Sequence, residues 1–169
     1  MERSCREKKK VEEYFRETAY KWDEIRKDYY DENLRDVIIR KANTKAGNIV
    51  LDIGCGTGFL TLGVAKAVGK DGKVVGIDIS EEMMKKAKEN LSKAGVSNIE
   101  FRIGDAENIP LEDSSVDAVV GNMVLHHCLS PESAIREMAR VLKPNGRLVL
   151  ADMEEHNEKW LRDEMADLW

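Results

Sequence analysis

Proline, cysteine and histidine are all scarce, at three residues each in a chain of 169. Cys5, Cys55 and Cys128 are odd in number and far apart. That fits reduced thiols in a cytoplasm better than a disulfide framework. No stretch approaches the ~20 apolar residues that span a bilayer. The opening "MERSCREKKK" lacks the apolar segment of a secretory signal. Neither a membrane role nor export is expected. Positive charge is also short, with a net charge of −5 and no basic stripe, which argues against a nucleic-acid partner. The one basic cluster, Arg6 to Lys10, reads as a solvated helix end. Repeats, low-complexity segments and linkers are absent.

What is present suits one domain with a sizeable core, since hydrophobic residues make up 42%. Residues 9–30 carry apolar groups at near-helical spacing, and a second helix is expected from Asp31 to about Lys45. "NIVLDIG" then reads as a buried strand, followed by an apolar helix over 57–68 that ends at Gly69. "KVVGID" is a strand, and Ser80 caps a helix over 81–93. "IEFRIG" and "VDAVVG" are strands. Ser130 and Pro131 start a helix with Ile135, Met138 and Leu142 as its buried stripe, and "KPNG" stops it. "RLVLAD" is the fifth strand, and a last amphipathic helix is expected over 156–168 with Leu161, Met165 and Leu168 on one side. Strands alternating with helices predict an α/β fold, a doubly wound, mostly parallel sheet. Its ligand crevice lies at the carboxyl ends of the strands. Residues 1–46 form an N-terminal helical segment and 47–169 the ligand-binding domain.

The stretch "LDIGCGTGFL" holds Gly54, Gly56 and Gly58 between strand and helix. A dinucleotide fingerprint started at Gly54 needs glycine where Phe59 stands, and no lysine follows to make a phosphate loop. The pattern is D-x-G-x-G-x-G with Asp52 leading. Bare backbone lets a ligand approach closely, while Asp52 repels a diphosphate and favours an ammonium or sulfonium group. Asp78 ends the next strand, 20 residues after Gly58, where a carboxylate accepts from both ribose hydroxyls. Ile79 beside it covers an adenine face. Asp105, in "GDAENIP", is placed to accept from an adenine amino group, and the Ala106 amide to serve a ring nitrogen. Asn122, in "GNMVLHH", borders the reactive end of such a ligand.

Together "VLDIGCGTGFLT", "VVGIDIS", "GDAENIPLEDSSVDAVV" and "MARVLKPNGRLVLAD" resemble a class I S-adenosylmethionine-dependent methyltransferase. The branch resembled is the small-molecule one that includes ubiquinone/menaquinone-biosynthesis enzymes. The likeness covers about 48–152 with the four elements in the family's order. "WDEIR", "LHH" and the C-terminal stretch are similar, more loosely, to methyltransferase domains standing alone or fused to arsenic-type repressor domains. The resemblance implies a Rossmann-like fold and S-adenosylmethionine as cofactor. It implies Asp52, Gly54, Gly56 and Gly58 around the methionine part, Asp78 at the ribose, Asp105 and Ala106 at the adenine, and Asn122 at the methionine end. It also implies a small-molecule methyl acceptor, and an N-terminal segment with Tyr14, Phe15, Tyr20, Trp22, Tyr29 and Tyr30 folded over the cofactor. The plainer reading of that segment is a core stripe with some exposed tyrosines.

Transfer from an activated methyl needs proximity and orientation more than a strong base. If a base acts, His126 or His127 is the candidate, since a histidine titrates near neutral pH. The plainer reading, that one packs and the other is an exposed loop residue, weighs more. A metal site of His126, His127, Cys128 and His156 is not expected, because adjacent residues rarely converge on one ion. Cys55 reads as a small packing residue rather than a nucleophile. The resembled family continues with two more strands; this chain ends at Trp169, so the fifth strand is expected to expose an apolar edge, either because the chain is a truncated version of a longer protein or because a second copy covers that edge. Two alternatives remain: a nicotinamide-dependent oxidoreductase, disfavoured by Phe59 and Asp105, and a non-catalytic cofactor-binding regulatory module.

Overall fold

The computed structural model describes residues 2–154, 157 and 159–168, leaving aside the side chains of 2–5 and 163–164. His156 lies outside the described residues, as does the side chain of Cys5. Five strands form one parallel sheet: β1 (Ile49–Ile53), β2 (Lys73–Asp78), β3 (Ile99–Ile103), β4 (Val116–Asn122) and β5 (Leu142–Ala151). Their order is β3-β2-β1-β4-β5. The strand order therefore reverses between β1 and β4, and a ligand crevice opens beside the carboxyl ends at such a switch point. The helices are α1 (Glu2–Thr18), α2 (Trp22–Ile25), α3 (Glu32–Lys41), α4 (Phe59–Val68), α5 (Glu81–Lys93), α6 (Pro131–Val141) and α7 (Lys159–Glu164). This is the expected doubly wound, Rossmann-like fold.

Alternation along the strands builds two apolar layers. Val50, Val74, Ala118 and Val120 pack against Ile38 of α3 and Leu60 and Val64 of α4. Leu51, Ile53, Val75, Ile77 and Val119 pack on the other side with Ala134, Met138 and Val141 of α6. Ser80 caps α5 as expected, its hydroxyl accepting from Met83 N. Asp31 does the same for α3, accepting from Asn33 N and Leu34 N.

Several local expectations are corrected. The run over 9–30 is broken: α1 stops at Thr18, α2 is one turn, and a 3-10 turn follows at Arg26–Asp28. Ile135 is 41% exposed, because the buried stripe of α6 runs through Ala134, Met138 and Val141, about one residue's rotation away. "KPNG" does not sit between helix and strand. β5 begins at Leu142, paired with Val116, and the irregularity is absorbed as a register shift before Ala118 pairs with Arg147. Lys143 Nζ anchors that bulge on Asp117 Oδ1 at 2.8 Å. The last helix is shorter than expected, and after it Ala166 turns the chain with a φ of 59°. As expected, β5 is an edge strand, paired with β4 alone among the described residues.

Candidate active site

A cleft of about 960 Å³, its open mouth included, lies over the ends of β1, β2 and β4. Asp52, Gly54, Gly56, Asp78, Ile79, Asp105, Ala106 and Asn122 all line it, so eight of the nine residues expected around a cofactor meet there. Gly58 sits behind them as the N-cap of α4, packed under Leu91. The loop conformation explains the glycines. Gly54 has a φ of 65°, and a Cβ there would stand 2.7 Å from Val124 Cγ2. Gly56 has a φ of 52° but open space, a Cβ being 3.7 Å from Trp22 Nε1. One position thus forbids a side chain by crowding and strain, the other by strain alone.

Two carboxylates form the inner wall. Asp52, 1% exposed, accepts from Thr61 Oγ1 at 2.5 Å. Burial pushes its carboxyl up to about 7, against the Thr61 hydrogen bond and with help from the nearby Asp78 charge. Asp78 accepts from Gly56 N at 2.7 Å through Oδ2 and from Ser80 N at 2.9 Å through Oδ1. It therefore shapes the glycine loop as well as facing the cleft. Burial also raises its carboxyl, against the pull of those backbone N–H groups. No lysine, arginine or histidine side chain pairs with either carboxylate among the described residues. The inner wall is rich in carboxyl groups and has no cation of its own among the described residues.

The outer end differs. Asp105 is half-buried, with Oδ1 accepting from Glu107 N at 2.9 Å and Oδ2 from Lys8 of α1. Lys8 is thus not a solvated helix end. At the β4 side, the buried Asn122 Oδ1 has no hydrogen-bond partner. The Tyr30 hydroxyl, also lining the cleft, is pushed up to about 12 by burial, against the pull of Arg26 and of side-chain hydrogen bonds with Trp22 and Asn122.

The two histidines separate. His127 lines the cleft, meets Phe15 edge-on with ring centroids 4.8 Å apart, and places Nδ1 3.1 Å from the Ala166 carbonyl. A carbonyl only accepts, so the proton sits on Nδ1 and Nε2 is left as an acceptor. Burial drives His127 down to about 3, with His126 adding to the shift, so it is neutral at pH 7 rather than titrating there. His126 is 3% exposed and borders a smaller adjoining cavity instead. Its Nδ1 is held by Asp152, which also accepts from Val124 N and Leu125 N. Contrary to expectation the adjacent His126 and His127 converge, each able with Asp167 to bring one ligand atom within 4.8 Å of the others, while their Nδ1 atoms are held by Asp152 and the Ala166 carbonyl. Cys55 and Cys128 are free and buried, and burial raises both thiols, Cys128 to about 12, as packing residues require.

Trp22 lines the cleft as the N-terminal segment was expected to, but sequence reasoning missed Thr57, Asp23 and Asp152. Asp23 Oδ1 accepts from Thr57 Oγ1 at 2.7 Å, and Oδ2 from Asn90 Nδ2 at 3.0 Å, pinning the segment after α1 to the glycine loop. The acidic residue beside tryptophan in "WDEIR" was the available signal, but its partner lies 34 positions away.

The methyltransferase domain family matches residues 44–168. A demethylmenaquinone methyltransferase of Desulfitobacterium hafniense is 40% identical over 124 residues, 73% of this chain and 49% of that protein. The ubiquinone/menaquinone biosynthesis C-methyltransferase UbiE of Pseudomonas putida is 38% identical over 156 residues, 89% of this chain and 60% of that one. A solved S-adenosylmethionine-dependent methyltransferase from Aquifex aeolicus superposes with a TM-score of 0.68 at 32% identity, covering 80% of this chain and 76% of the other. The chain spans roughly half the length of these curated relatives. With this fold, this glycine loop and a match over most of its length, the chain belongs to the methyltransferase domain family, on the class I S-adenosylmethionine-dependent fold.

Proposed function

We propose that the chain binds S-adenosylmethionine and transfers its methyl group to a small-molecule acceptor. One observation carries the reading: Asp52 and Asp78 face the cleft buried, with raised carboxyl groups and no cationic partner among the described residues. A ligand bearing ammonium and sulfonium charge supplies what that wall lacks. The residues fit such a group in a second way, since the unpartnered Asn122 Oδ1 is an acceptor awaiting a donor. Asp52, Gly54, Gly56 and Asn122 would hold the methionine part, with Gly58 shaping the loop from behind, Asp78 the ribose, and Ile79, Asp105 and Ala106 the adenine. The bound cofactor supplies an already activated methyl group. The chain's own residues then orient and exclude water, with Trp22, Tyr30 and Phe15 of the N-terminal helical segment (1–46) closing the cleft over the 47–169 domain.

The acceptor reading rests on the lining of a narrow recess beside the cleft, about 310 Å³ with its open mouth included, which has to widen to take more than a very small molecule. It shares Trp22, Tyr30, Met123 and His127 with the cleft and adds Met153, Leu161 and Met165, with the polar His126 and Asp167 at one side. That lining suits a small apolar or aromatic molecule. His127 offers it a neutral acceptor nitrogen, and His126 holds that turn in place. The net charge of −5 and the free buried cysteines go with a cytoplasmic, small-molecule role, and the open side of β5 with a second copy paired there.

Titration calorimetry tests the cofactor. S-adenosylmethionine and S-adenosylhomocysteine are expected to bind and NAD not to; tight NAD binding without the sulfur ligands would overturn the reading. Labelled methyl transfer into a small-metabolite extract tests the reaction. Binding without transfer would favour a non-catalytic regulatory module, a reading that the chain's partial span of its relatives keeps open.

A further inference from the structure

Two lysines of the basic run of α1 find distant partners: Lys10 Nζ donates to the Arg162 carbonyl at the surface, and Lys8 reaches the wall of the cleft. Lys8 Nζ lies 2.5 Å from both Asp105 Oδ2 and Glu107 Oε2, so one ammonium is bracketed by two carboxylates. Its Asp105 and Glu107 contacts, by hydrogen bond and charge, raise the Lys8 ammonium against the cost of its own burial. Glu107 reaches further, its Oε1 accepting from Ser130 N at the start of α6. The pair therefore joins α1 to the loop after β3 and, through Glu107, to the N-terminus of α6.

The position matters more than the pair. Lys8, Val11 and Phe15 recur along one side of α1 and all line the cleft. Val11 is only 4% exposed, and Phe15 sits edge-on to His127. Helix α1 thus roofs the cleft from the adenine end to the histidine turn. Lys8 is its charged attachment at the adenine end, made to the carboxylate expected to receive the adenine amino group. Lifting α1 separates one cation from two anions.

We propose that Lys8 is a latch: a positioning residue that acts through Asp105 and Glu107 to hold α1 across the cleft and to set how long an adenosyl ligand stays. This rests on the reading of the cleft as an adenosyl-cofactor site. The groups are partly exposed, at 36%, 30% and 12% of their side chains, so salt weakens the latch without abolishing it.

The test follows S-adenosylhomocysteine dissociation by stopped flow in the full chain, with three variants. Lys8→Met, which keeps the apolar stem, is expected to speed dissociation about fivefold to tenfold. Lys8→Arg is expected to stay within about twofold of the parent, and Lys9→Met, an equal charge change on the exposed neighbour, to leave the rate alone. About 0.5 M salt should speed the parent and leave Lys8→Met unmoved. Parental kinetics in Lys8→Met, or an equal effect from Lys9→Met, would overturn the latch. Hydrogen exchange on the ligand-free protein decides it independently: Lys8→Met must loosen α1 amides, and unchanged protection overturns the proposal. A parent that binds no adenosyl ligand at all would instead sink the cofactor reading, leaving the exchange result to judge the latch.

Discussion

Two walls of the same cleft treat buried acid in opposite ways. On the β1–β2 side, Asp52 and Asp78 receive only a hydroxyl and backbone N–H groups, and both carboxyl groups are raised. On the β4–β5 side Asp152 stands behind the lining, under the turn at Val124–His126; burial also pushes it up, but the hydrogen bond and charge of His126, with N–H groups of Leu125 and Met153, hold it below the usual carboxylate range. The second wall is electrostatically complete within the chain. The first is not, and an incomplete wall in an open cleft is what a charged ligand completes. The fold therefore separates a binding face, held somewhat short of its best stability, from a face that anchors the turn carrying His126 and His127.

The largest effect is expected on the incomplete wall. Gly54→Val adds a side chain 2.7 Å from Val124 Cγ2 at a φ of 65°, in the middle of the loop. Cofactor affinity should fall at least about 100-fold, with about 2–4 kcal/mol lost from stability through strain and overpacking. Calorimetry and thermal unfolding read the two together, and near-normal binding would mean the loop backbone is not the seat. Asp78→Asn comes next. It presents an amide where Gly56 N and Ser80 N need acceptors, and removes the carboxylate assigned to the ribose. A loss of about 30-fold or more in affinity is expected, with circular dichroism unchanged.

These contrasts were unevenly legible in the sequence. The β1–β2 wall was readable because its residues are contiguous: "LDIGCGT" and "VVGIDIS" each place strand, turn and carboxylate within a few positions. Ser80 was readable as a cap for the same reason, since a cap bonds only two or three residues ahead. The Asp152–His126 contact spans 26 positions and Lys8–Asp105 spans 97, and no local pattern announces either. Ile135 misled because an apolar residue beside the buried stripe looks like part of it. "KPNG" misled because a proline and a glycine together resemble a break, whereas Lys143 and Leu142 already pair across to β4.

The Asp52 shift sharpens the comparison through pH. In the ligand-free protein this carboxyl titrates at about 7. A cationic ligand favours the ionised form, so binding releases a proton and weakens on acidification. Between pH 8 and pH 6 the affinity should drop about tenfold, and Asp52→Asn should flatten the profile at a lower affinity. The sign for stability is opposite. A carboxyl at about 4 when unfolded and about 7 when folded makes the free protein lose stability as pH rises between those values. Calorimetry in buffers of different ionisation heat counts the proton directly. An affinity that is flat from pH 6 to pH 8 would remove Asp52 from the binding face.

The smallest effect on ligand affinity belongs to the complete wall. Asp152→Asn loses the charge facing His126 and one acceptor shared by Val124 N and Leu125 N. Because those groups belong to the chain rather than to a ligand, the consequence should fall on stability, by about 3 kcal/mol, which for a domain of this size lowers Tm by about 6–12 °C. Cofactor affinity, measured well below the new Tm, should change by less than about threefold. Activity is then the informative third readout, since His127 borders both cavities and depends on that turn for its place. A fall in kcat at unchanged cofactor affinity would show that the anchoring wall serves the acceptor. A loss of affinity comparable with that of Asp78→Asn would erase the distinction between the two walls.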